Sequence, residues 1–140
     1  MDLVGLRASE AGIRLERDPP VEAVLRRRVL LVESDARAAR LLARMLREDG
    51  YEVEIVVDGG AAVGRLSRGA RPDIVLADHR LAHTDGVAVL RYARVRAPEA
   101  RLVLVTNRRD LVERELTAED AGLVVLEKPF GYADLVSRLR

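Results

Sequence analysis

Apolar residues form short runs without alternation at several places in the chain, and polar residues follow each run directly. The runs are Val29–Val32, Ile74–Ala77, Leu102–Val105 and Leu123–Leu126. Continuous apolar runs of this length are typical of strands buried on both faces of a parallel sheet. A further strand is predicted at Tyr51–Val57, where β-branched residues are frequent. The pattern therefore predicts five strands.

The segments between these strands carry apolar residues at helical spacing. They predict helices at Ala36–Asp49, about Gly60–Ser67, Gly86–Arg96, Asp110–Ala121 and Gly131–Arg140. Ser34 or Asp35, Asp58 and Asp85 stand where a side chain can cap a helix start. Strands that alternate with helices imply right-handed crossovers and a parallel sheet. We therefore predict an α/β fold with helices on both faces of the sheet.

The first 27 residues lie outside this alternation. Asp18-Pro19-Pro20 interrupts any helix in this stretch. We interpret residues 1–27 as an N-terminal tail or linker, with a docking segment as the alternative. Residues 28–140 then form one domain, which fits a chain of 140 residues.

Composition narrows the classes of function. The net charge is +1, from 24 basic and 23 acidic residues, and this balance argues against direct contact with nucleic acid. Cysteine is absent, which excludes disulfides and thiolate metal sites. The apolar runs are too short to cross a membrane. We therefore expect a cytoplasmic protein with no membrane partner.

Polar side chains stand directly after four of the predicted strands. They are Glu33, Asp78, Thr106 and Lys128. Ligands of open α/β sheets bind outside the carboxyl ends of the strands, so we expect these four side chains to converge on one pocket. Two carboxylates held close together repel each other, and a hard cation such as Mg²⁺ would offset their charge. A carboxylate nucleophile, a metal, a lysine and a hydroxyl are sufficient for phosphoryl transfer.

Several segments, in this order, resemble the receiver domains of two-component response regulators of the chemotaxis-regulator type. The segments are Leu31–Asp35, Pro72–Asp78, Asp85-Gly86, Val105-Thr106 and Lys128–Phe130. The resemblance covers about four-fifths of the chain. It implies a flavodoxin-like, doubly wound, five-stranded parallel sheet with strand order 2-1-3-4-5.

The resemblance also implies a role for each site residue. Asp78 would accept a phosphoryl group from a sensor histidine kinase or a phosphotransfer protein. Glu33, Asp78 and the backbone carbonyl of Arg80 would hold Mg²⁺. Thr106 and Lys128 would contact the phosphoryl group, and the peptide bond between Lys128 and the following proline would be cis. Partners would read the face formed by the fourth helix, fifth strand and fifth helix, with homodimerisation as one option.

Some positions depart from the family's pattern. They are Ser34 in place of a carboxylate, Asn107 in place of a small residue, Val125 in place of an aromatic, and Arg80 and Arg108 at positions that tune phosphate loss. We expect weak Mg²⁺ binding because one acid is missing, although Asp35 can replace part of its charge. Without the aromatic at position 125, we expect a blunted response to phosphate.

Two other classes of function compete with the phosphorylated receiver. One is a degenerate receiver that partners recognise without phosphate. The other is a hydrolase with an aspartyl-phosphate intermediate, but Asp78-His79-Arg80 lacks the second acid that such an enzyme needs. We therefore expect no enzyme. His79 and His83 have no third metal ligand at suitable spacing, which favours solvated loop histidines.

Overall fold

A parallel sheet of five strands forms the centre of the described part of the chain. The structure, a computed structural model, describes residues 26–140, so the expectations for residues 1–25 lie outside the described part. The strands are β1 (Arg28–Val32), β2 (Glu52–Val56), β3 (Ile74–Asp78), β4 (Arg101–Thr106) and β5 (Leu123–Glu127). All pairings are parallel, and the order is β2-β1-β3-β4-β5. The predicted sheet and its strand order are confirmed.

Among the residues that the structure describes, five α-helices connect and flank the strands. They are α1 (Ala36–Glu48), α2 (Gly59–Ser67), α3 (Gly86–Arg96), α4 (Arg109–Glu115) and α5 (Tyr132–Leu139). Asp35, Asp58 and Asp85 accept hydrogen bonds from the first-turn N–H groups of α1, α2 and α3, which satisfies donors that a helix start leaves free. Within residues 26–140, no helix is long and apolar enough to cross a bilayer.

The sheet separates two apolar cores, because side chains alternate between its faces along each strand. One core joins Val75, Ala77, Leu102 and Leu104 to α2, α3 and α4. The other joins Ile74, Leu76, Val103 and Val105 to α1 and α5. This alternation decides which side of the sheet each residue at a strand end faces.

The fourth helix is shorter than the sequence predicts. Helix α4 ends at Glu115, and a separate 3₁₀ turn follows at Ala118–Asp120. Leu116 adopts an extended backbone, and Asp120 accepts a hydrogen bond of 2.9 Å from Thr117 N–H. The side chain of Asp120 is 1% exposed and pairs with Arg91 at 2.8 Å. The prediction of one helix from Asp110 was wrong because this buried ion pair starts a new turn.

The N-terminal edge of the domain includes residues before β1. The carbonyl of Arg27 accepts a hydrogen bond of 2.9 Å from Glu52 N–H, which continues the pairing of β1 with β2. The Arg27 guanidinium also donates to the carbonyl of Leu139. Contacts of the domain thus reach at least one residue beyond the predicted boundary at residue 28.

Candidate functional site

Three of the four predicted site residues meet beyond the carboxyl ends of β1, β3 and β5. Glu33 follows β1, Asp78 ends β3, and Lys128 follows β5. Lys128 Nζ lies 2.8 Å from Asp78 Oδ1, and the Asp78 side chain is 13% exposed. All three residues line one cavity of about 260 Å³ on the α1 side of the sheet. The peptide bond between Lys128 and Pro129 is cis, as expected.

The position of Asp78 depends on a close approach between its backbone and the start of α3. Gly86 N–H donates to the carbonyl of His79 at 2.9 Å. A Cβ atom at Gly86 would lie 2.3 Å from the carbonyl oxygen of Asp78 and 2.8 Å from Leu104 Cδ1. Any larger residue would therefore push α3 away from the end of β3. Glycine at this position lets the helix start directly beside the candidate nucleophile.

Glu33 is a half-buried carboxylate next to Asp78. Burial raises the pKa of Glu33, and the negative charge of Asp78 raises it further. A hydrogen bond of 3.0 Å from Asp35 N–H and the positive charge of Lys128 act in the opposite direction and lower this pKa. The net result is a raised pKa of Glu33, and burial is its largest cause.

Asp35 is engaged in a structural contact. Its Oδ1 accepts hydrogen bonds from Arg37 N–H at 3.0 Å and Ala38 N–H at 3.2 Å, which caps α1. Ser34 is exposed and contributes no carboxylate. The cap uses one carboxylate oxygen of Asp35, and the negative charge of Asp35 still contributes to the raised pKa of Glu33, so partial replacement of the missing charge stays a prediction.

Thr106 does not face the cavity that Asp78 lines. It shares the face of Leu102 and Leu104, and it is 1% exposed. Its Oγ1 accepts a hydrogen bond of 2.9 Å from Arg108 N–H and lies 3.4 Å from His79 Nδ1. Leu76 and Leu104 face opposite sides of the sheet. Because side chains alternate along each strand, Asp78 lies on the side of Leu76 and Thr106 on the side of Leu104. The four predicted residues therefore do not all converge.

His79 is a buried residue, so the interpretation of it as a solvated loop histidine was wrong. It is 8% exposed, and its Nε2 lies 3.2 Å from Glu115 Oε1. Sequence reasoning also missed Glu115, which lies far along the chain. One signal was available for His79, because it continues the inward face of Val75 and Ala77 on β3.

The residues of the cavity fit a hard divalent cation. Glu33 and Asp78 supply carboxylate oxygens, and the charge balance at Glu33 leaves room for more positive charge. Mg²⁺ prefers oxygen ligands with few carboxylates and several waters. Arg80 follows Asp78 by two residues, and its backbone forms a bridge to Asp85 in the adjoining loop.

Comparison with known proteins identifies the family. Residues 29–140 match the model of the response regulator receiver domain. The chain belongs to this family. The receiver is 37% identical over 117 residues to the transcriptional regulatory protein PdtaR of Mycobacterium tuberculosis, covering 82% of this chain and 56% of that protein. It is 34% identical over 116 residues to the DNA-binding response regulator MtrA of Mycobacterium leprae, covering 83% and 51%.

Solved receiver structures share the fold. A response regulator receiver protein from Sinorhizobium medicae aligns with a TM-score of 0.74 and 28% identity over 83% of this chain and 93% of that one. The receiver domain of sensor histidine kinase PA1611 from Pseudomonas aeruginosa aligns with a TM-score of 0.70 and 32% identity, over 81% and 94%, and has a magnesium ion coordinated in its active site cleft. The receiver spans about half the length of the curated relatives it matches.

Proposed function

We propose that this receiver accepts a phosphoryl group on Asp78, in a Mg²⁺-dependent reaction, from a sensor histidine kinase or a phosphotransfer protein in the cytoplasm. It then passes the signal on through contacts with other proteins. The observation that carries the proposal is the contact of 2.8 Å between Asp78 Oδ1 and Lys128 Nζ, with Glu33 in the same cavity. That arrangement combines a nucleophile, a positive charge and a second acid at one strand edge.

The transfer forms one bond and breaks one bond. A carboxylate oxygen of Asp78 attacks phosphorus, and the bond from phosphorus to the donor's imidazole nitrogen breaks as the new O–P bond forms. Before transfer, Lys128 pairs with the negative charge of Asp78. After transfer, its ammonium group can pair with a phosphoryl oxygen instead. Phosphoryl transfer depends mainly on positioning and electrostatic stabilisation, and the protein supplies both at this edge.

Glu33, Asp78 and the backbone carbonyl of Arg80 would hold the Mg²⁺ ion. When bound, Mg²⁺ neutralises negative charge on the phosphoryl oxygens and on the two carboxylates. Glu33 is half-buried with a raised pKa, so its charge is the one that most needs this compensation. We expect this receiver to bind Mg²⁺ more weakly than other members of the family, because Ser34 offers no third carboxylate.

Thr106 would respond to the phosphoryl group by turning its hydroxyl toward Asp78. In the structure its Oγ1 is held by Arg108 N–H and faces His79. The turn would break these contacts, which links phosphorylation to the start of α4. Partners, including a second copy of this chain, would read the face of α4, β5 and α5.

The test is the intact mass of the protein after incubation with acetyl phosphate and Mg²⁺. We expect a single phosphoryl adduct on the wild type and none on Asp78→Asn. Asp73→Asn is the matched control because Asp73 precedes the same strand at the opposite edge, where its Oδ2 accepts a hydrogen bond from Arg28 N–H. Asparagine can still accept that hydrogen bond, and the control should be phosphorylated like the wild type.

Two results would count against this function. An adduct that survives Asp78→Asn would place the chemistry on another residue. A folded wild-type protein that never gains an adduct, even with excess Mg²⁺, would favour a receiver that partners recognise without phosphate. Circular dichroism of each sample before treatment establishes that the protein is folded.

A further inference from the structure

Three side chains that can bind metals meet on the α3–α4 side of the sheet, beyond Asp78 and away from the Mg²⁺ cavity. They are His79 after β3, Asp85 before α3, and Glu115 at the end of α4. One ligand atom from each lies within 4.8 Å of the others. His79 is buried, and the two acids are half-buried. Three separate parts of the chain therefore bring one imidazole and two carboxylates together.

The distance between two of these groups suits a metal ligand set. His79 Nε2 lies 3.2 Å from Glu115 Oε1. Ligands bound tetrahedrally at about 2.0–2.1 Å from a Zn²⁺ ion are separated by about 3.3 Å. The remaining distances in the cluster are within 4.8 Å, so rotation of the Asp85 and Glu115 side chains would close a three-ligand set around an ion, with water completing the coordination.

The charges of the cluster also favour a cation. One oxygen of Asp85 and one of Glu115 lie within 4.8 Å of each other, and burial, followed by this neighbour, raises the pKa of Glu115. Asp85 Oδ1 is occupied by Ala88 N–H at 2.9 Å, which leaves its second oxygen for a ligand. The guanidinium of Arg91 adjoins the cluster: it donates to both oxygens of Asp120 and to the backbone carbonyl of Glu115 at 3.1 Å, and none of these hydrogen bonds goes to a carboxylate of the cluster.

We propose that His79, Asp85 and Glu115 form a binding site for a divalent transition-metal ion of the Zn²⁺ type. Imidazole nitrogen favours such ions, whereas Mg²⁺ prefers oxygen ligands alone. The site is therefore chemically distinct from the all-oxygen cavity at Asp78, although the two adjoin through consecutive residues of the chain.

The bound ion would also set the proton on the histidine ring. Coordination through Nε2 leaves the proton on Nδ1, and Nδ1 faces Thr106 Oγ1 at 3.4 Å. His79 then donates to Thr106, so the Thr106 hydroxyl no longer donates to the ring and is free for another acceptor. This consequence rests on the proposed function, in which Thr106 contacts the phosphoryl group.

The test is a calorimetric titration of the full chain with Zn²⁺ in saturating Mg²⁺ and without any phosphodonor. We expect about one high-affinity equivalent in the wild type and at least about a tenfold loss of affinity in His79→Ala and Glu115→Gln. His83→Asn is the matched control, since His83 is an exposed histidine of the same loop with φ of 72°, a conformation that asparagine tolerates. Glu33→Gln controls for the Mg²⁺ cavity. Neither control should change Zn²⁺ affinity.

A second measurement on the wild type is independent of any variant's folding. Long-range ¹⁵N–¹H spectra of the imidazole should place the His79 proton on Nδ1 once Zn²⁺ is added. The proposal is overturned by an unchanged His79 spectrum, by the absence of Zn²⁺ binding, or by binding that follows Glu33 or His83 instead of His79. Because no phosphodonor is present, failure of Asp78 to become phosphorylated leaves this result unaffected.

Discussion

At the scale of single residues, Asp78 and His79 are consecutive but serve opposite sides of the sheet. Asp78 lines the cavity with Glu33 and Lys128, while His79 contacts Thr106 and Glu115. One peptide unit thus connects the candidate nucleophile to the histidine that contacts Thr106, the residue expected to respond to phosphorylation. A backbone shift caused by a change in charge at Asp78 would therefore reach His79 directly, and through it the contact with Glu115 at the end of α4.

The raised pKa of Glu33 predicts that its charge destabilises the protein near neutral pH. The folded protein binds the proton of the Glu33 carboxyl more tightly than the unfolded chain does, in which the pKa of this group is near 4.5. The free energy of unfolding therefore falls as pH rises above that value. Without Mg²⁺, we expect Glu33→Gln to be more stable at pH 7, by less than about 1 kcal/mol because water screens a half-exposed group.

Urea unfolding across pH measures this effect. The difference between Glu33→Gln and the wild type should vanish below about pH 4, where glutamate is protonated in both states. Glu127→Gln is the control, since Glu127 is exposed at the end of β5 and should show little change. A variant that is less stable than the wild type at pH 7 would contradict the electrostatic account.

Ser34 predicts how tightly Mg²⁺ binds. It is exposed and follows Glu33 directly, so Ser34→Asp adds a carboxylate beside Glu33 without displacing packed atoms. Two unit charges about 4 Å apart at an effective dielectric near 20 interact by roughly 4 kcal/mol, which is a ceiling because water intervenes. We expect Mg²⁺ to bind about tenfold tighter, which corresponds to about 1.4 kcal/mol.

Calorimetric titration with Mg²⁺ distinguishes a local effect from a change in net charge. Ser137→Asp adds the same charge on exposed α5 and should leave Mg²⁺ affinity near that of the wild type. Equal affinities for wild type and Ser34→Asp would show that the missing acid does not limit the site.

The residues of the two candidate sites differ in how far the sequence predicts them. Asp78 and Lys128 were predictable because each follows an apolar run, and strand ends in a parallel sheet share one edge. The orientation of Thr106 was not predicted, because a position at a strand end fixes the edge of the sheet, whereas the alternation of side chains decides the face. The contact of Glu115 with His79 depends on where α4 ends, and local periodicity does not fix that point.

At the scale of elements, the strands and most helices follow directly from the apolar pattern, whereas α4 does not. Thr117 and Asp120 form a capping box around the 3₁₀ turn, and Asp120 pairs with Arg91 from α3. This partner lies 29 residues away. A local pattern of apolar residues carries no information about such a contact, so the sequence overestimates the helix.

Gly86 predicts how tightly α3 must pack against β3. Gly86→Ala would place a Cβ atom 2.3 Å from the Asp78 carbonyl oxygen, a distance that requires the backbone to shift. Overpacking of this kind costs typically 1–3 kcal/mol, and we expect a loss of roughly 2 kcal/mol in the free energy of unfolding, measured by urea denaturation. Because the shift reaches Asp78, phosphorylation by acetyl phosphate should also slow.

Gly122→Ala provides the matched comparison. A Cβ atom at Gly122 would have no neighbour within 4 Å, so this variant should stay within about 0.5 kcal/mol of the wild type. If both alanine variants lose the same stability, the loss reflects the backbone freedom of glycine and not the contact with Asp78.

At the scale of the whole molecule, the sheet gives phosphorylation two separate surfaces to act on. The cavity of Asp78 opens on the α1 and α5 side, and Thr106 faces the α3 and α4 side. In the proposed function, a signal would therefore cross the sheet edge through Thr106 and the backbone between Asp78 and His79. Val125 on β5 is half-buried against the α3–α4 core and offers no aromatic ring to move with Thr106.

This arrangement predicts a short-range response to phosphorylation. With beryllofluoride as a phosphate mimic and Mg²⁺, we expect large amide shift changes in ¹⁵N–¹H spectra around Asp78, Thr106 and Arg108, whose N–H now bonds Thr106 Oγ1 at 2.9 Å. Changes across β5 and α5 should be small, because the side chain at position 125 carries no ring that could transmit the shift. Val125→Tyr should extend the changes into β5 and α5, whereas Val124→Tyr, on the opposite face of the same strand, should not. Large changes throughout residues 110–139 in the wild type would mean that the backbone alone carries the switch, and the missing aromatic would then be irrelevant to it.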